Sequence, residues 1–415
     1  MKVVLINRSD WRGGAAVASH RLVDALRSRG VDARLLVMLA DRKPMPPYVE
    51  EYGRSARGKG YFLAERAGIF AANGFNRADL FKVSTARYGF DLSRHPDVLS
   101  ADAILLGWVN QGALSLGGLN RLLALGKPVI WTMHDMWPAT GVCHLPPDCD
   151  RYQADCGRCP LLHSRSDNDL SATTLCRKRT IYARHSNLAF VAVSRWLRDK
   201  ARASRLLRDY DIAVIHNAFP IERFTTERSA NSYGIGHDKI VVTMGAARLD
   251  DEVKGFDKLI ELTRTVASLK PELAARLHLL LYGSMRDASL LNQLALPFTW
   301  LGAIDIARLP ELYAASDIVL STSRFETLGG TLVEGAAAGC VPVTFGTGGQ
   351  ADTVSHLSTG YIARSYDIAD MAAGLEWAVE QRTDRASRHH DIAAKYSAHS
   401  IAGQYIDLIN SKIKS

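Results

Sequence analysis

The sequence predicts an α/β protein of two Rossmann-like, doubly wound domains facing a central cleft. Three observations predict it. Short β-branched runs alternate with helical patterns, the rhythm restarts after residue 220, and 415 residues exceed what one ordinary core organises.

In the first half, residues 3–7 (VVLIN) read as a strand and 15–30, ending on Gly30, as a helix. Residues 33–39 and 103–109 follow as strands, 119–126 as a helix and 128–135 (PVIWTMHD) as a strand. In the second half, strands are expected at 239–249, 277–284, 298–304, 317–324 and 341–345, with helices at 256–269, 306–316, around Glu334 and at 367–380. The predicted domains are 1–218 and 219–395, joined near HNAFPIERF. Residues 396–415 are expected as a helix packing back on the first domain. Residues 44–100 are less regular, and about 138–180 form an insertion with little periodicity.

Charge divides unevenly between the halves. Residues 1–220 carry 32 Lys and Arg against 20 Asp and Glu, and residues 221–415 carry 19 against 23. The basic half should face something anionic, and nucleic acid, a membrane surface or a phosphorylated substrate all qualify. No apolar run approaches the roughly 20 residues of a membrane span, and MKVVLINRSD lacks a secretory h-region, so a cytoplasmic protein is expected. The segment 194–209 sets Trp196, Leu197, Leu206 and Leu207 among six cations. It reads either as a helix lying on an anionic membrane or as an ordinary amphipathic helix with a solvated basic face.

Parallel α/β sheets bind ligands beyond the carboxyl ends of their strands, so strand-to-helix turns are the first candidate sites. In STSRFETLGGTLVEGAAAG the helix should begin near Gly330, aiming the amides of Leu328, Gly329 and Gly330 at an anion such as phosphate. Glu326 in the turn and Glu334 one turn inside the helix are acceptor-only carboxylates, suited to sugar or ribose hydroxyls. The alternative makes Glu334 an exposed helix residue and Glu326 a capping acid. In MGAARLDDEVKGFDKLI, Arg248 and Lys254 can grip a diphosphate, or else are two solvated loop cations. Gly13 and Gly14 lie between the first strand and first helix without a full G-x-G-x-x-G pattern, and would let backbone approach a substrate. His134 and Asp135 close a strand at its carboxyl end, where a His-Asp pair serves either structure or catalysis.

Cys143, Cys149, Cys156 and Cys159 are spaced Cys-x5-Cys-x6-Cys-x2-Cys. Four thiolates suit a closed structural zinc site, with His144 and His163 as substitute ligands; the alternative is four reduced cysteines in a loop.

Taken in order, the Gly-Gly turn, the strand-end His, Arg then Lys, and Glu-x7-Glu resemble the retaining glycosyltransferases of family 4, of GT-B fold. The resemblance covers essentially the whole chain, most specifically in GAARLDDEVKGFDKLI, WLGAI, LYAASDIVLSTSRFETLGGTLVEGAAAGCVPV and GTGGQADTV. It implies that Arg248 and Lys254 bind the donor diphosphate and that Glu326 contacts hydroxyls of the donor sugar. Amides from Leu328 to Gly330 would meet the phosphates, Glu334 would hold the ribose, and His134 would sit beside the donor sugar. Gly13 and Gly14 would border the donor phosphates and acceptor, and Ser194 and Asn217 would be mainly structural. The usual Glu-Gly-Phe-Gly stands here as Glu326-Thr327-Leu328-Gly329, and the usual Asn-Gly-Val-Asp as Asn217-Ala218-Phe219-Pro220. HDMWPATGVCHLPPDCDRYQADCGRCPLL is similar to a bacterial subgroup that builds exopolysaccharide, capsule or O-antigen.

The expected reaction moves a sugar from a UDP- or GDP-linked donor to a hydroxyl of a saccharide or polyprenyl-diphosphate-linked acceptor, with retention at the anomeric carbon. His134, Arg248, Lys254 and Glu326 would form its catalytic set, and no cofactor would be required beyond the candidate structural zinc. A peripheral position on the inner face of the plasma membrane is expected with a lipid-linked acceptor. Two other readings stand beside it: a nucleotide-sugar epimerase of the same fold, and a basic nucleic-acid-binding protein, which would leave Glu-x7-Glu unexplained.

Overall fold

The computed structural model describes residues 1–146, 148–229 and 233–414, which divide into two compact units: Met1–Ala218 with Ala398–Ser415, and Phe219–Ser397. The unit 1 strands are β1 (Lys2–Ser9), β2 (Asp32–Leu39), β3 (Val49–Glu51), β4 (Gly89–Phe90), β5 (Ala103–Leu106), β6 (Gly112–Leu114), β7 (Val129–Met133), β8 (Leu188–Ala192) and β9 (Ile212–Val214). Seven of them form one parallel sheet in the order β3-β2-β1-β5-β7-β8-β9, while β4 and β6 pair apart. Sequence order runs outward in one direction from β1 and in the other from β5. The gap between the ends of β1 and β5 is therefore the switch point where a doubly wound sheet opens a crevice.

Buried on both faces, these strands are nearly continuous apolar runs, as parallel sheets require. Helix Gly14–Ser28 buries Leu22, Val23, Ala25 and Leu26 against them. Helix Ala398–Lys414 adds Ile401, Ala402, Tyr405 and Ile409 to the same core, at the 3–4-residue spacing of one helix face, and Tyr405 meets Thr132 Oγ1 at 2.8 Å.

The two irregular regions hold more helix than their sequences suggest. Helix Ala56–Ala72 runs through the basic RSARGKGYFLAER stretch, its first turn capped by Ser55, and helix Leu170–Ala183 lies inside the insertion, capped by Asp169. Neither has a strong apolar stripe, because each buries charged side chains, Glu65 and Arg66 in one and Lys178 in the other. The insertion is organised around a small core of its own, with Val142, Cys159, Leu161 and Leu162 against Ile69 and Val83.

Unit 2 repeats the architecture with β10 (Ile240–Arg248), β11 (Leu277–Ser284), β12 (Phe298–Trp300), β13 (Ile318–Ser321), β14 (Val341–Phe345) and β15 (Tyr361–Ala363). All pair in parallel in the order β12-β11-β10-β13-β14-β15, with the switch point between β10 and β13. Among the described residues no helix is long and apolar enough to cross a membrane.

Candidate functional site

In unit 2 the residues singled out by sequence gather at the β10/β13 switch point. β10 ends on Arg248, and Lys254 follows in a single helical turn, Glu252–Lys254. Gly255, at φ +65°, then turns the chain into helix Phe256–Leu269; a Cβ there would lie 2.1 Å from Thr322 O, just beyond β13. Close packing of these two turns carries Lys254 Nζ to 2.6 Å from Glu326 Oε1. Ser323 Oγ donates to the same oxygen at 2.9 Å. Arg324 locks the turns together: its amide donates to Val253 O, and its guanidinium meets both oxygens of Asp257 at 3.0 and 2.8 Å.

Glu326 caps no helix. Helix Gly330–Ala337 is entered through Gly329 at φ +90°, and neither a side-chain cap nor a first-turn acid covers its positive end. Leu328 is buried and anchors the turn. Glu334 is no exposed helix residue: it is 7% exposed, near the buried Tyr282 and Tyr313. Those phenols share a 2.7 Å hydrogen bond and are pushed upward by burial, with the Glu334 charge acting in the same direction.

Two groups of neighbours escaped the sequence reading. Arg248 is held by Asp251 at 2.8 Å and by Asp250 at 3.4 Å, so acids guard the expected anion-binding cation. The GTGGQ loop supports the Glu326 turn from behind: Gly349 N donates to Glu326 O at 2.7 Å, and Gln350 Nε2 donates to Ser323 O at 3.0 Å. The Asp-Asp dipeptide and the glycine pair were visible signals, but nothing local indicated what they touch.

Unit 1 carries the remaining candidates. Gly13, at φ +93°, enters helix Gly14–Ser28 without a side-chain cap, and the Cβ positions of Gly13 and Gly14 face open space. His134 follows β7 and lines a small cavity with Ser19, Thr132, His216 and Asn217. Burial lowers its imidazole to about 4, against the opposing pull of Asp135.

Asp135 itself turns away from its neighbour in sequence. It accepts from Trp108 Nε1 and His144 Nδ1, each at 2.7 Å, and from Trp137 N at 2.8 Å. His144 Nε2 lies 3.0 Å from Ser84 Oγ, so both its nitrogens are engaged; His163 lies 3.6 Å from Asp79.

The cysteines are free thiols: Cys159 is buried, and Cys143, Cys149 and Cys156 are half-buried. Among the described residues no three His, Cys, Asp or Glu side chains form a metal-holding group. Burial, reinforced by the neighbouring thiols, pushes Cys143 up to about 12 and Cys156 to about 11. Close to both lies fully buried Lys178. Its Nζ donates to Trp137 O and Thr140 O and sits 3.3 Å over the Trp137 ring, with no carboxylate in contact among the described residues. Burial lowers its pKa well below the usual value, opposed by Cys143, Cys156 and Asp135.

The cationic segment 194–209 keeps its leucines inside, while Trp196 is half-buried. Leu197, Leu206 and Leu207 are buried in unit 1, so they offer no face for insertion into a bilayer.

Two parallel doubly wound units of this kind define the GT-B fold of glycosyltransferases. A model of Glycosyltransferase Family 4 matches residues 12–223, half of the chain, and one of Glycosyl transferases group 1 matches residues 226–396. The chain belongs to glycosyltransferase family 4.

Among curated relatives, mannosylfructose-phosphate synthase of Agrobacterium fabrum is 28% identical over 210 residues, 47% of this chain and 45% of that protein. D-inositol 3-phosphate glycosyltransferase of Stackebrandtia nassauensis is 28% identical over 200 residues, 44% of this chain and 45% of that protein. The matches thus span less than half the length of these relatives. Among solved structures, Anabaena HepE in complex with UDP and glucose superposes with a TM-score of 0.63 at 17% identity, covering 99% of this chain and 100% of that one. Sucrose-phosphate synthase from Thermosynechococcus elongatus gives 0.63 at 16%, covering 99% and 98%. WaaG, a glycosyltransferase involved in lipopolysaccharide biosynthesis, gives 0.62 at 16%, covering 98% and 99%. At such identities the likeness is one of fold.

Proposed function

We propose that this protein transfers a sugar from a nucleoside-diphosphate donor, UDP- or GDP-linked, to a hydroxyl of a saccharide or lipid-linked saccharide acceptor, retaining the anomeric configuration. The observation that carries the proposal is the Lys254–Glu326 pair, 2.6 Å apart at a sheet switch point beside an uncapped helix start. Family membership and the neighbours solved with UDP support the donor class.

Arg248 and Lys254 take the diphosphate and hold the charge that grows on it as it leaves, while amides from Leu328 to Gly330 meet its oxygens. Donor binding releases Glu326 from Lys254 to accept the sugar's hydroxyls, and Glu334 accepts those of the ribose. The acceptor hydroxyl attacks the face from which the diphosphate departs and gives its proton to that leaving group. Neutral His134 and the backbone at Gly13 and Gly14 line the donor sugar and phosphates in this reading.

A lipid-linked acceptor in surface-polysaccharide synthesis fits the basic first half, and WaaG, which shares the fold, is involved in lipopolysaccharide biosynthesis. Membrane contact would then be electrostatic, because the leucines of 194–209 are committed to the core. Mannosylfructose-phosphate synthase, D-inositol 3-phosphate glycosyltransferase and sucrose-phosphate synthase carry a phosphate in their names, whereas a third curated relative, 2-deoxystreptamine glucosyltransferase, does not; the first three support an anionic acceptor or product. Zinc belongs to the proposal only as a staple of the cysteine lobe, supported by the number and spacing of its free thiols.

Thermal stabilisation across UDP, GDP and ADP tests the donor site. One nucleoside diphosphate should raise the melting temperature, and Lys254→Ala should abolish the shift. No shift with any of them in the intact protein defeats the proposal.

A further inference from the structure

The carboxyl end of β1 meets that of β5 at the switch point of the unit 1 sheet, and a cation stands there with no carboxylate partner among the described residues. Arg8 N donates to Trp108 O at 2.8 Å, and Trp108 N donates to Asn7 Oδ1 at 2.6 Å, so the backbone on both sides is fixed. The Arg8 guanidinium lies 5.8 Å from the Phe62 ring centroid and 5.9 Å from that of Trp108.

The charged groups around Arg8 are Arg12, Asp41, Arg66 and Glu65. Asp41 is paired with Arg12 at 3.6 Å, and Glu65 with Arg66 at 3.3 Å while also accepting two backbone amides at 2.9 Å. Three guanidiniums against two carboxylates leave one positive charge over. Among the described residues no carboxylate comes within ion-pair distance of Arg8, and its buried Nε has no hydrogen-bond partner. Burial, followed by Arg12, lowers its pKa, the mark of a cation short of negative neighbours.

Aromatic faces compensate a guanidinium only in part, and a planar fork held in a crevice is shaped for a bidentate oxyanion. We propose that Arg8 binds a phosphate group of the acceptor, so that the acceptor is phosphorylated, either as a sugar phosphate or as the diphosphate head of a lipid. Arg66 has both terminal nitrogens engaged, by Leu80 O, Val83 O, Ser84 and Glu65, with only its buried Nε left over, and serves as the field behind the site rather than as a ligand. The word acceptor rests on the glycosyltransferase proposal; the anion site does not.

Calorimetry on the full chain separates the two. Glucose, glucose 6-phosphate, inorganic phosphate and farnesyl diphosphate micelles are titrated into the wild type, Arg8→Gln, Arg8→Lys and Lys254→Ala. With UDP in excess to fill the donor site, a phosphorylated probe should bind the wild type and weaken about tenfold or more in Arg8→Gln, with Arg8→Lys in between and Lys254→Ala reporting any share taken by the donor site. Glucose should not distinguish the variants. Glucose 6-phosphate or inorganic phosphate as the bound species assigns a soluble source, and farnesyl diphosphate alone a lipid one; either supports the site. Phosphate binding that is unchanged in Arg8→Gln, lost only in Lys254→Ala, or missing from the wild type overturns it. UDP stabilisation should survive Arg8→Gln, so failure of the donor reading shows independently. An unchanged melting temperature in Arg8→Lys controls for folding.

Discussion

Lys254 and Glu326, 72 residues apart in sequence, form an ion pair of 2.6 Å between side chains that remain 29% and 23% exposed. At that exposure the pair is worth at most about 1 kcal/mol to the fold. It is therefore cheap to open, and each partner is free to exchange the other for a ligand. Lys254→Ala should leave the melting temperature nearly unchanged while weakening nucleoside-diphosphate binding about 10- to 100-fold. A large loss of stability with unchanged nucleotide affinity would make the pair purely structural.

Glycines at the two turns should differ sharply from a glycine elsewhere. Gly255→Ala drives a Cβ against Thr322 O at 2.1 Å in a left-handed backbone, and should cost about 2 kcal/mol or more along with nucleotide binding. Gly30 has φ +78° with nothing within 4 Å, so Gly30→Ala should cost only about 1 kcal/mol and leave binding alone. Denaturant midpoints of the two variants check the contrast; equal losses would remove the close-packing argument.

His134 sets a pH dependence. Its imidazole titrates near 4 in the folded chain and near 6.5 when unfolded, so between those values the unfolded state binds the extra proton. Its contribution is fully present above about pH 6.5 and is lost as pH falls toward 4, to a total of about 3 kcal/mol. Unfolding free energies measured from pH 7 to 4.5 should fall less steeply in His134→Gln than in the wild type. Parallel curves would show that another group carries the dependence.

If zinc draws the four thiols of the cysteine lobe together as proposed, the purified chain should contain one zinc, with only Cys176 and Cys340 left as metal-free thiols. Metal analysis and thiol titration under denaturing conditions, before and after chelation, read this directly. A zinc-free protein with six titratable thiols would leave Lys178 as a buried amine beside neutral thiols.

Where chemistry follows from local pattern, the sequence was readable. The strand ends carrying Arg248 and His134, the helix starts at Phe256 and Gly330, and the restart of the α/β rhythm all follow from apolar period and glycine placement. Contacts made at long range were hidden. Asp135 looked like the partner of adjacent His134 but bonds His144, because its carboxylate points to the insertion rather than along the strand end. Helices 56–72 and 170–183 were obscured because buried Arg66, Glu65 and Lys178 break the apolar stripe that announces a helix. Arg8 gave no signal, since a lone arginine after a strand acquires meaning only when its neighbours prove to be paired with one another.

Helix Ala398–Lys414 fills a place in the unit 1 core yet is encoded after all of unit 2. On the ribosome, the first 218 residues emerge with the groove meant for Ile401, Tyr405 and Ile409 still open, and it stays open while the next 179 residues are made. Completion of the first unit is thus tied to the synthesis of the second. Nascent unit 1 must pass through an interval with apolar surface uncovered, the period in which a chaperone would be engaged.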